Sequence, residues 1–289
     1  MTPSFDYKIP ASIQEACGLL WKAGGKAKLI AGGTDLVIGL RSGDQNPPLI
    51  IDITRIDELR RIEERNGMIS IGAAATHSEI ALSPLIKKCA KVLSDAASEI
   101  GSPQIRNLGT IGGNIVNASP AADTLPPLMV LNAIGRVVSR EGEKQVPIYQ
   151  LFKGAYETNL KPHELLVRVT FQELSSETKS SFVRLARRDA MAIARMSVAI
   201  VLEMEKRKKR IEDIRIAAGS VTPTPQRFSE VEDFLRGKSP DEEILKKASI
   251  KISETMISRT GVRPSTSYKR PVIEALFIRG MREALEGQA

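Results

Sequence analysis

Two pairs of adjacent glycines are the residues whose type and spacing best suit a chemical role. Gly32-Gly33 lies in the string AGGTD, between an apolar segment and a short helical pattern. Gly112-Gly113 lies in the string TIGGN, within a longer polar segment. Glycine permits backbone conformations and close approaches that other residues exclude, so consecutive peptide N–H groups can face an anion. A helix that begins after such a turn adds its positive end, and a diphosphate would suit this surface.

Neither glycine pair belongs to a common nucleotide-binding motif. Both lack the G-x-G-x-x-G spacing, and Gly25-Lys26 is followed by Ala27 where a P-loop needs Ser or Thr. A tight turn without a ligand is the alternative for either pair, and the spacing alone leaves it open.

Cysteine and histidine are too few for the usual metal centres. The 289 residues include two Cys, Cys17 and Cys89, and two His, His77 and His163. Their spacing is not typical of a zinc or iron–sulfur site. If this chain performs redox chemistry, it therefore needs an organic cofactor. His77 itself is expected to stand at the start of a helix.

The net charge of +8 allows either an acidic partner subunit or a nucleic acid as a binding partner. Much of the excess lies in the basic run 206–210, between two apolar alternating segments, where a solvated hairpin tip is expected. Aromatic residues make up only 4%, so few side chains could stack on bases. No apolar run approaches the roughly 18 residues of a membrane span, and no secretory signal is visible, so a cytoplasmic location is expected.

Local patterns predict most of the secondary structure. Two capping boxes predict helix starts, and an Asn-Gly pair between apolar segments predicts a hairpin. A polar segment at 173–181 marks a domain boundary. The predicted elements are strands at 5–9, 28–31, 49–53, 136–138 and 165–171, a hairpin at 62–72, helices after Ser12 and Thr76 and at 84–100 and 125–133, a glycine-rich loop at 101–123, antiparallel strands at 182–186, 197–205 and 211–219 that end before Pro223 and Pro225, and helices at 228–258 and 268–285.

Two longer strings resemble one protein family. AGGTDL at 31–36 and RNLGTIGGNIVNASPAADTLPPL at 106–128 closely resemble the FAD subunit of the xanthine dehydrogenase and carbon monoxide dehydrogenase family of molybdenum hydroxylases. The order and separation of the two strings also match. The string SFVRLARRDAMAIARMSVAIVL at 181–202 is similar to the start of that family's C-terminal flavoprotein domain. The resemblance spans nearly the whole chain.

The resemblance implies an α+β fold with two domains. Residues 1–177 are expected to form an FAD-binding PCMH-type domain of two α/β subdomains, about 1–55 and 56–177, with FAD in the cleft between them. Residues 178–289 are expected to form a carbon monoxide dehydrogenase flavoprotein-type C-terminal domain, with a three-stranded antiparallel sheet and helices.

The resemblance also implies how FAD is held. The first glycine string wraps the diphosphate with backbone amides, and the second contacts the diphosphate and flavin from the other side. Asp123 contacts the adenosine portion or its ribose, while Leu166 and Arg184 line the flavin region. On the residues alone, Asp123 could instead cap the helix at 125, and Leu166 could be a core residue. The expected cofactor-binding residues are Leu29, Ile30, Ala31, Gly32, Gly33, Thr34, Asp35, Leu36, Ile100, Thr110, Ile111, Gly112, Gly113, Asn114, Asp123, Leu166 and Arg184.

The function implied by the resemblance is electron transfer through FAD. A large partner subunit would hold molybdopterin and oxidise the substrate, and a small one would hold two [2Fe–2S] clusters that feed the flavin. The acceptor would be NAD or another oxidant, and the assembly a dimer of heterotrimers. No side chain of this chain is expected to be an acid, a base, a nucleophile or a metal ligand. The alternatives are a self-contained flavin-dependent oxidoreductase and a basic nucleic-acid-binding or scaffold protein.

Overall fold

The computed structural model describes residues 4–188, 193–205 and 209–286. The chain divides into two compact units, each built from several segments. Unit 1 comprises the residues up to 80, then 102–119 and 133–172, and unit 2 comprises 81–101, 120–132 and the residues from 173 onward. The predicted domains, 1–177 and 178–289, divide the chain once and stay a prediction.

Strands and helices alternate at the start of the chain, and a run of six helices follows further along. The strands are β1 Asp6–Lys8, β2 Ala27–Ile30, β3 Leu49–Asp52, β4 Ile62–Arg65, β5 Met68–Gly72, β6 Ile134–Ser139, β7 Gly142–Pro147, β8 Phe152–Gly154, β9 Glu157–Thr158, β10 Leu165–Gln172, β11 Lys179–Ala186, β12 Ala194–Glu205, β13 Arg210–Gly219 and β14 Gln226–Arg227. The helices are α1 Ile13–Ala23, α2 Leu36–Ser42, α3 His77–Leu82, α4 Pro84–Cys89, α5 Lys91–Ser98, α6 Pro103–Leu108, α7 Ile111–Asn117, α8 Leu125–Val130, α9 Ser229–Leu235, α10 Glu242–Thr260 and α11 Thr266–Glu286.

Unit 1 contains a three-stranded parallel sheet with the order β1-β3-β2. Helix α1 connects β1 to β2, and its predicted capping box is confirmed, since the Ser12 hydroxyl accepts from the Glu15 N–H at 3.1 Å. The helix ends at Gly24, whose φ of 54° lies in the left-handed region that glycine adopts readily. Strand β2 then leads through the first glycine pair into α2.

A second sheet in unit 1 has five antiparallel strands in the order β4-β5-β10-β6-β7. The predicted hairpin is confirmed as β4 and β5, because Asn66 and Gly67 both have positive φ, at 54° and 74°. The central strand β10 carries a register shift between Leu166 and Arg168. Strand β7, which pairs with β6, was not predicted because its GEKQVP sequence is polar and exposed at its start.

Two predictions for residues 84–123 are wrong. The single helix at 84–100 is two helices, α4 and α5, because Ala90 has a φ of −157° and interrupts the helical backbone. The polar loop at 101–123 contains α6 and α7. The Ser102 hydroxyl accepts from the Ile105 N–H at 3.3 Å, and the Thr110 hydroxyl accepts from the Gly113 N–H at 3.0 Å. These side-chain caps let short helices form despite the glycines.

The sheet of unit 2 has four antiparallel strands in the order β11-β12-β13-β14. The three long strands are confirmed, but the sheet does not end before Pro223 and Pro225, because Arg227 of β14 pairs with Ala217 of β13. The first three residues of the basic run, 206–208, lie outside the described residues, and so does the tip expected there.

The helices of unit 2 form its core together with this sheet. The helix predicted at 228–258 is two helices, α9 and α10, and Gly237 with a φ of 78° lies between them. Helix α11 packs on β11 and β12 and on α10. Phe228, Ile252 and Phe277 are fully buried there. Within the described residues, no helix combines the length and the hydropathy that a membrane crossing requires.

Candidate functional site

The first glycine turn of unit 1 presents consecutive peptide N–H groups that are available to a ligand. Strand β2 ends at Ile30 and α2 begins at Leu36, so the turn lies at the carboxyl end of a parallel strand. Gly33 has a φ of 69°, which favours glycine. Among the described residues, no acceptor bonds to the N–H groups of Gly32, Gly33 and Thr34. Such consecutive free donors before a helix suit an anionic ligand.

The first turn lies directly against the segment that carries the second glycine pair. A Cβ at Gly32 would lie only 1.9 Å from the Leu108 carbonyl oxygen, so no larger residue fits there. The side chain of Asn117, at the end of α7, donates to the Asp35 carboxylate at 3.0 Å. The structure therefore brings the two glycine strings together within unit 1. Asn117 was missed at the sequence level, because its partner is 82 residues away and no local pattern marks it.

The second glycine pair forms the first turn of α7 rather than a loop. The N–H groups of Ile111 and Gly112 donate to the carbonyl oxygens of Ala75 and Ala73, at 3.0 and 2.8 Å. The Gly113 N–H is taken by the Thr110 hydroxyl. These three amides are therefore bonded within the protein. That the segment Thr110–Asn114 contacts the diphosphate and flavin remains a prediction.

Gly112 and Gly113 nevertheless differ in the space around them. A Cβ at Gly112 would lie 2.6 Å from the Cβ and the carbonyl oxygen of Ala73, whereas at Gly113 it would lie 3.0 Å from the Thr110 Oγ1. Gly113 is exposed and Gly112 is buried. The start of α7 thus offers a bare backbone surface at Gly113, onto which a flat or extended ligand can pack.

His77 lies next to Gly109, shortly before α7 begins. It is the first residue of α3, which confirms the prediction that it stands at the start of a helix. Its ring is buried, and a Cβ at Gly109 would lie 3.2 Å from the His77 Cδ2. Burial, with a smaller contribution from Arg106, lowers the pKa of His77 to about 4. The imidazole is therefore neutral at physiological pH, and it supports the backbone from which α7 begins.

Unit 2 brings together two of the predicted site residues, Asp123 and Arg184. The Arg184 Nη1 donates to the Asp123 Oδ2 at 3.2 Å, and the Arg184 Nε donates to the Glu99 Oε2 at 2.8 Å. Ile100, the residue after Glu99, is half-buried. Burial raises the pKa of Asp123 to about 7, while Arg184 lowers it and Glu99 raises it further. Glu99 was not singled out from the sequence.

Asp123 is not a helix cap. The N-cap residue of α8 is Thr124, and this helix has no side-chain cap hydrogen bond. Asp123 is only 6% exposed, and within the described residues its Oδ1 has no hydrogen-bond partner. A buried carboxylate oxygen without a donor is costly, so it marks a position where a ligand donor would be stabilising.

Leu166 and the strand residues of the predicted set serve the packing of unit 1. Leu166 is 3% exposed on β10, and a Cβ at Gly135 would lie 3.0 Å from its Cδ1. Leu29 and Ile30 are half-buried in β2, while Asp35 is exposed. The core alternative for Leu166 agrees with this burial, and its contact with the flavin remains a prediction.

Two family models together match most of the sequence. Residues 3–171 match the FAD binding domain in molybdopterin dehydrogenase. Residues 181–284 match the carbon monoxide dehydrogenase flavoprotein C-terminal domain. The first match spans both glycine strings, and the second begins on β11.

Curated relatives and solved structures agree with these matches. The chain is 32% identical to the glyceraldehyde dehydrogenase medium chain of Sulfolobus acidocaldarius, over 97% of this chain and 98% of that protein. It is 30% identical to the nicotinate dehydrogenase FAD-subunit of Eubacterium barkeri, over 94% and 93% of the two chains. A chain of the carbon monoxide dehydrogenase from Hydrogenophaga pseudoflava superposes with a TM-score of 0.92 at 29% identity, covering 99% of both chains.

In unit 1, the free amides of the first turn and the exposed backbone at Gly113 suit a diphosphate. In unit 2, the Asp123 Oδ1, which has no partner among the described residues, suits a hydroxyl donor. The predicted α+β fold and the predicted cofactor agree with the family matches and with the superposition. The chain therefore belongs to the family of FAD-binding medium subunits of molybdenum hydroxylases, and it is a subunit of an oxidoreductase.

Proposed function

We propose that this chain transfers electrons from the [2Fe–2S] clusters of a small partner subunit to NAD or another acceptor. A large partner subunit would hold molybdopterin and oxidise the substrate. The observation that carries this proposal is the turn at Gly32-Gly33, whose free N–H groups lie beside the helix that holds Gly113. Bound FAD would supply a flavin ring that exchanges either one or two electrons. It could therefore accept electrons singly from the clusters and pass them in pairs to a two-electron acceptor.

The residues of this chain have binding and positioning roles in the proposal. The N–H groups of Gly32, Gly33 and Thr34 would hold the diphosphate without a charged side chain, so the backbone would bind this part of FAD. In unit 1, Gly113 exposes its backbone to a ligand. In unit 2, the Asp123 Oδ1 would be an acceptor for a hydroxyl donor of FAD. No proton needs to move on a side chain for the electrons to pass. The chain thus orients the cofactor and tunes its surroundings.

The partners follow from the kind of protein that the relatives are named for. One is a medium chain and another an FAD-subunit, and both words denote one component of an assembly. We infer that this chain joins a large molybdopterin subunit and a small iron–sulfur subunit in a dimer of heterotrimers in the cytoplasm. The substrate is set by the large subunit and is not encoded in this chain.

A purification with the partner subunits tests the proposal directly. The chain should be yellow, and denaturation should release FAD into solution. Reduced iron–sulfur subunit, mixed with the FAD-loaded chain, should reduce the flavin in a stopped-flow experiment, and an acceptor screen should then reoxidise it. A chain that binds FAD but is reduced by a small organic substrate without any partner would instead be a self-contained flavin oxidoreductase. A colourless chain that shifts DNA in a salt-dependent way would reject the proposal.

A further inference from the structure

We propose that Glu99 is a positioning residue for FAD binding, which orients the guanidinium of Arg184 so that Arg184 fixes the carboxylate of Asp123. The inference rests on the proposed function, because it takes FAD as the ligand whose donor meets the free oxygen of Asp123. It goes beyond that function by adding a residue, Glu99, that neither the sequence pattern nor the family match selects.

The three side chains form a continuous chain of charge-assisted hydrogen bonds in unit 2. The Glu99 Oε2 accepts from the Arg184 Nε at 2.8 Å, and the Asp123 Oδ2 accepts from the Arg184 Nη1 at 3.2 Å. Glu99 follows the last residue of α5, and α5 packs on β11, the strand that carries Arg184. The contact therefore ties a helix end to the strand beside it.

The geometry of a guanidinium explains how one carboxylate can orient another. The Nε and the two Nη atoms lie in one rigid plane, so a partner on Nε fixes the direction in which Nη1 points. Glu99 binds Nε, so rotation of the group is restrained and Nη1 stays directed at the Asp123 Oδ2. The second oxygen, Oδ1, is then held at a fixed position without a partner among the described residues.

Burial separates the roles of the two carboxylates. The side chains of Arg184 and Asp123 are 8% and 7% exposed, whereas that of Glu99 is 49% exposed. An exposed partner contributes little Coulombic energy, so the Glu99 contact matters for orientation more than for stability. Asp123 lies in low-dielectric surroundings, where the placement of its unpaired oxygen strongly affects binding.

Burial raises the pKa of Asp123, and among the charged groups of the described residues Arg184 lowers it and Glu99 raises it. In its ionised form the carboxylate accepts from Arg184 on Oδ2 and leaves Oδ1 as an acceptor for a ligand donor. FAD affinity should therefore fall as the pH drops below about 7. Removing the charge of Glu99 should move the midpoint of this pH profile to lower pH. A residue with a merely structural role would leave the midpoint unchanged.

The experiment titrates FAD into the full-length chain after FAD has been removed, and follows flavin fluorescence on both sides of neutral pH. At high pH, E99Q should weaken FAD binding about tenfold, since a charge-assisted contact that orients a buried group is lost. D123N should weaken it at least as much. R184K keeps the charge but has one ammonium for two carboxylates, so it should resemble E99Q.

A double-mutant cycle isolates the coupling. If Glu99 acts through Asp123, adding E99Q to D123N should cause no further loss of affinity. E242Q is the matched control, because the Glu242 side chain is 89% exposed and pairs with Arg282 at 2.8 Å in the same unit. It should change neither affinity nor the midpoint. Thermal unfolding of each FAD-free variant checks that the fold is retained. If E99Q unfolds, R184K is used in its place to break the contact between Glu99 and Arg184.

The outcomes separate this inference from the proposed function. A wild-type chain that does not bind FAD would overturn the proposed function itself. A wild-type chain that binds FAD, with E99Q equal to it in affinity and midpoint, would overturn the role of Glu99 alone. An additive loss in the D123N/E99Q double variant would also overturn it, because Glu99 would then act without Asp123.

Discussion

The first glycine pair follows a strand, and the second begins a helix. At Gly32-Gly33 the peptide N–H groups have no acceptor among the described residues, while at Gly112-Gly113 both donate within the protein. In sequence the two pairs look alike, since each is followed by a polar residue and each precedes helical residues. Their difference arises from what surrounds them. At the second pair, the carbonyl oxygens of Ala73 and Ala75 accept from the Gly112 and Ile111 N–H groups.

Each pair combines one glycine that packing requires with one that it does not. Gly32 and Gly112 lie so close to other backbone atoms that a Cβ would overlap them. Gly33 instead has a positive φ, and Gly113 is exposed, with the Thr110 Oγ1 side chain 3.0 Å from where a Cβ would lie. A glycine in a cofactor-binding string is therefore not by itself a ligand contact, and three of these four glycines are explained by the fold alone.

The largest expected effect is the loss of stability when a packing glycine gains a side chain. G32A would place a Cβ 1.9 Å from the Leu108 oxygen, and G112A would place one 2.6 Å from Ala73. Because the obstacle is backbone in both cases, each variant should lose at least about 3 kcal/mol of unfolding free energy. Urea denaturation of the FAD-free chain measures this loss.

The matched control is G18A, in the middle of α1, where a Cβ would meet nothing within 4 Å. This variant should gain about 0.5–1 kcal/mol, because alanine favours the helix more than glycine does. If G32A and G112A were as stable as the wild type, the close approaches that distinguish them from Gly33 and Gly113 would be wrong.

The second expected effect is on the ligand rather than on the fold. G113V should abolish FAD retention while leaving the unfolding free energy within about 1 kcal/mol of the wild type, since valine adopts a helix at least as readily as glycine. The added side chain would fill the space proposed for the diphosphate. FAD content per chain after gel filtration measures retention, and G113A, with a smaller side chain, should retain more. Full occupancy in G113V would place the diphosphate elsewhere.

The smallest expected effect concerns the Gly113 N–H, which donates to the Thr110 hydroxyl and so is not available to a ligand. T110V removes the hydroxyl that accepts from the Gly113 N–H and should lower the unfolding free energy by about 1 kcal/mol. T110S keeps the hydroxyl and should match the wild type. FAD retention should fall less than in G113V, because the bare surface at Gly113 remains. Equal stability of T110V and T110S in urea would show that α7 does not depend on this cap.

Local signals predicted the elements that depend on neighbouring residues. The capping contacts of Ser12 and Thr76, and the turn at Asn66-Gly67, use side chains and dihedrals within four residues, so a sequence window contains them. The helices α6 and α7 were missed because glycine and polar residues lower helix propensity. Contacts with Ala73 and Ala75 hold α7 in place, and no window around residue 112 includes them.

Only those parts of the candidate site that lie in contiguous sequence strings could be predicted from the sequence. The glycine pairs and Asp123 could be selected from the sequence, because they lie in strings that resemble one family. The contact of Asp123 with Arg184 joins residues 61 apart, and the contact of Arg184 with Glu99 joins residues 85 apart. Only the folded chain of unit 2 brings them together. No local or periodic sequence pattern marks such a contact between charged side chains.

The interleaved course of the chain has a consequence for its synthesis on the ribosome. The polypeptide passes from one unit to the other after residues 80, 101, 119, 132 and 172. Helix α8 is buried along its entire length against β12 and β13, which are translated long after it. A nascent chain that has reached residue 172 can therefore complete unit 1 while α8 still lacks its partners. The apolar surface of α8 stays exposed until β12 and β13 have been translated. A chaperone that shields this surface during the interval would favour correct folding.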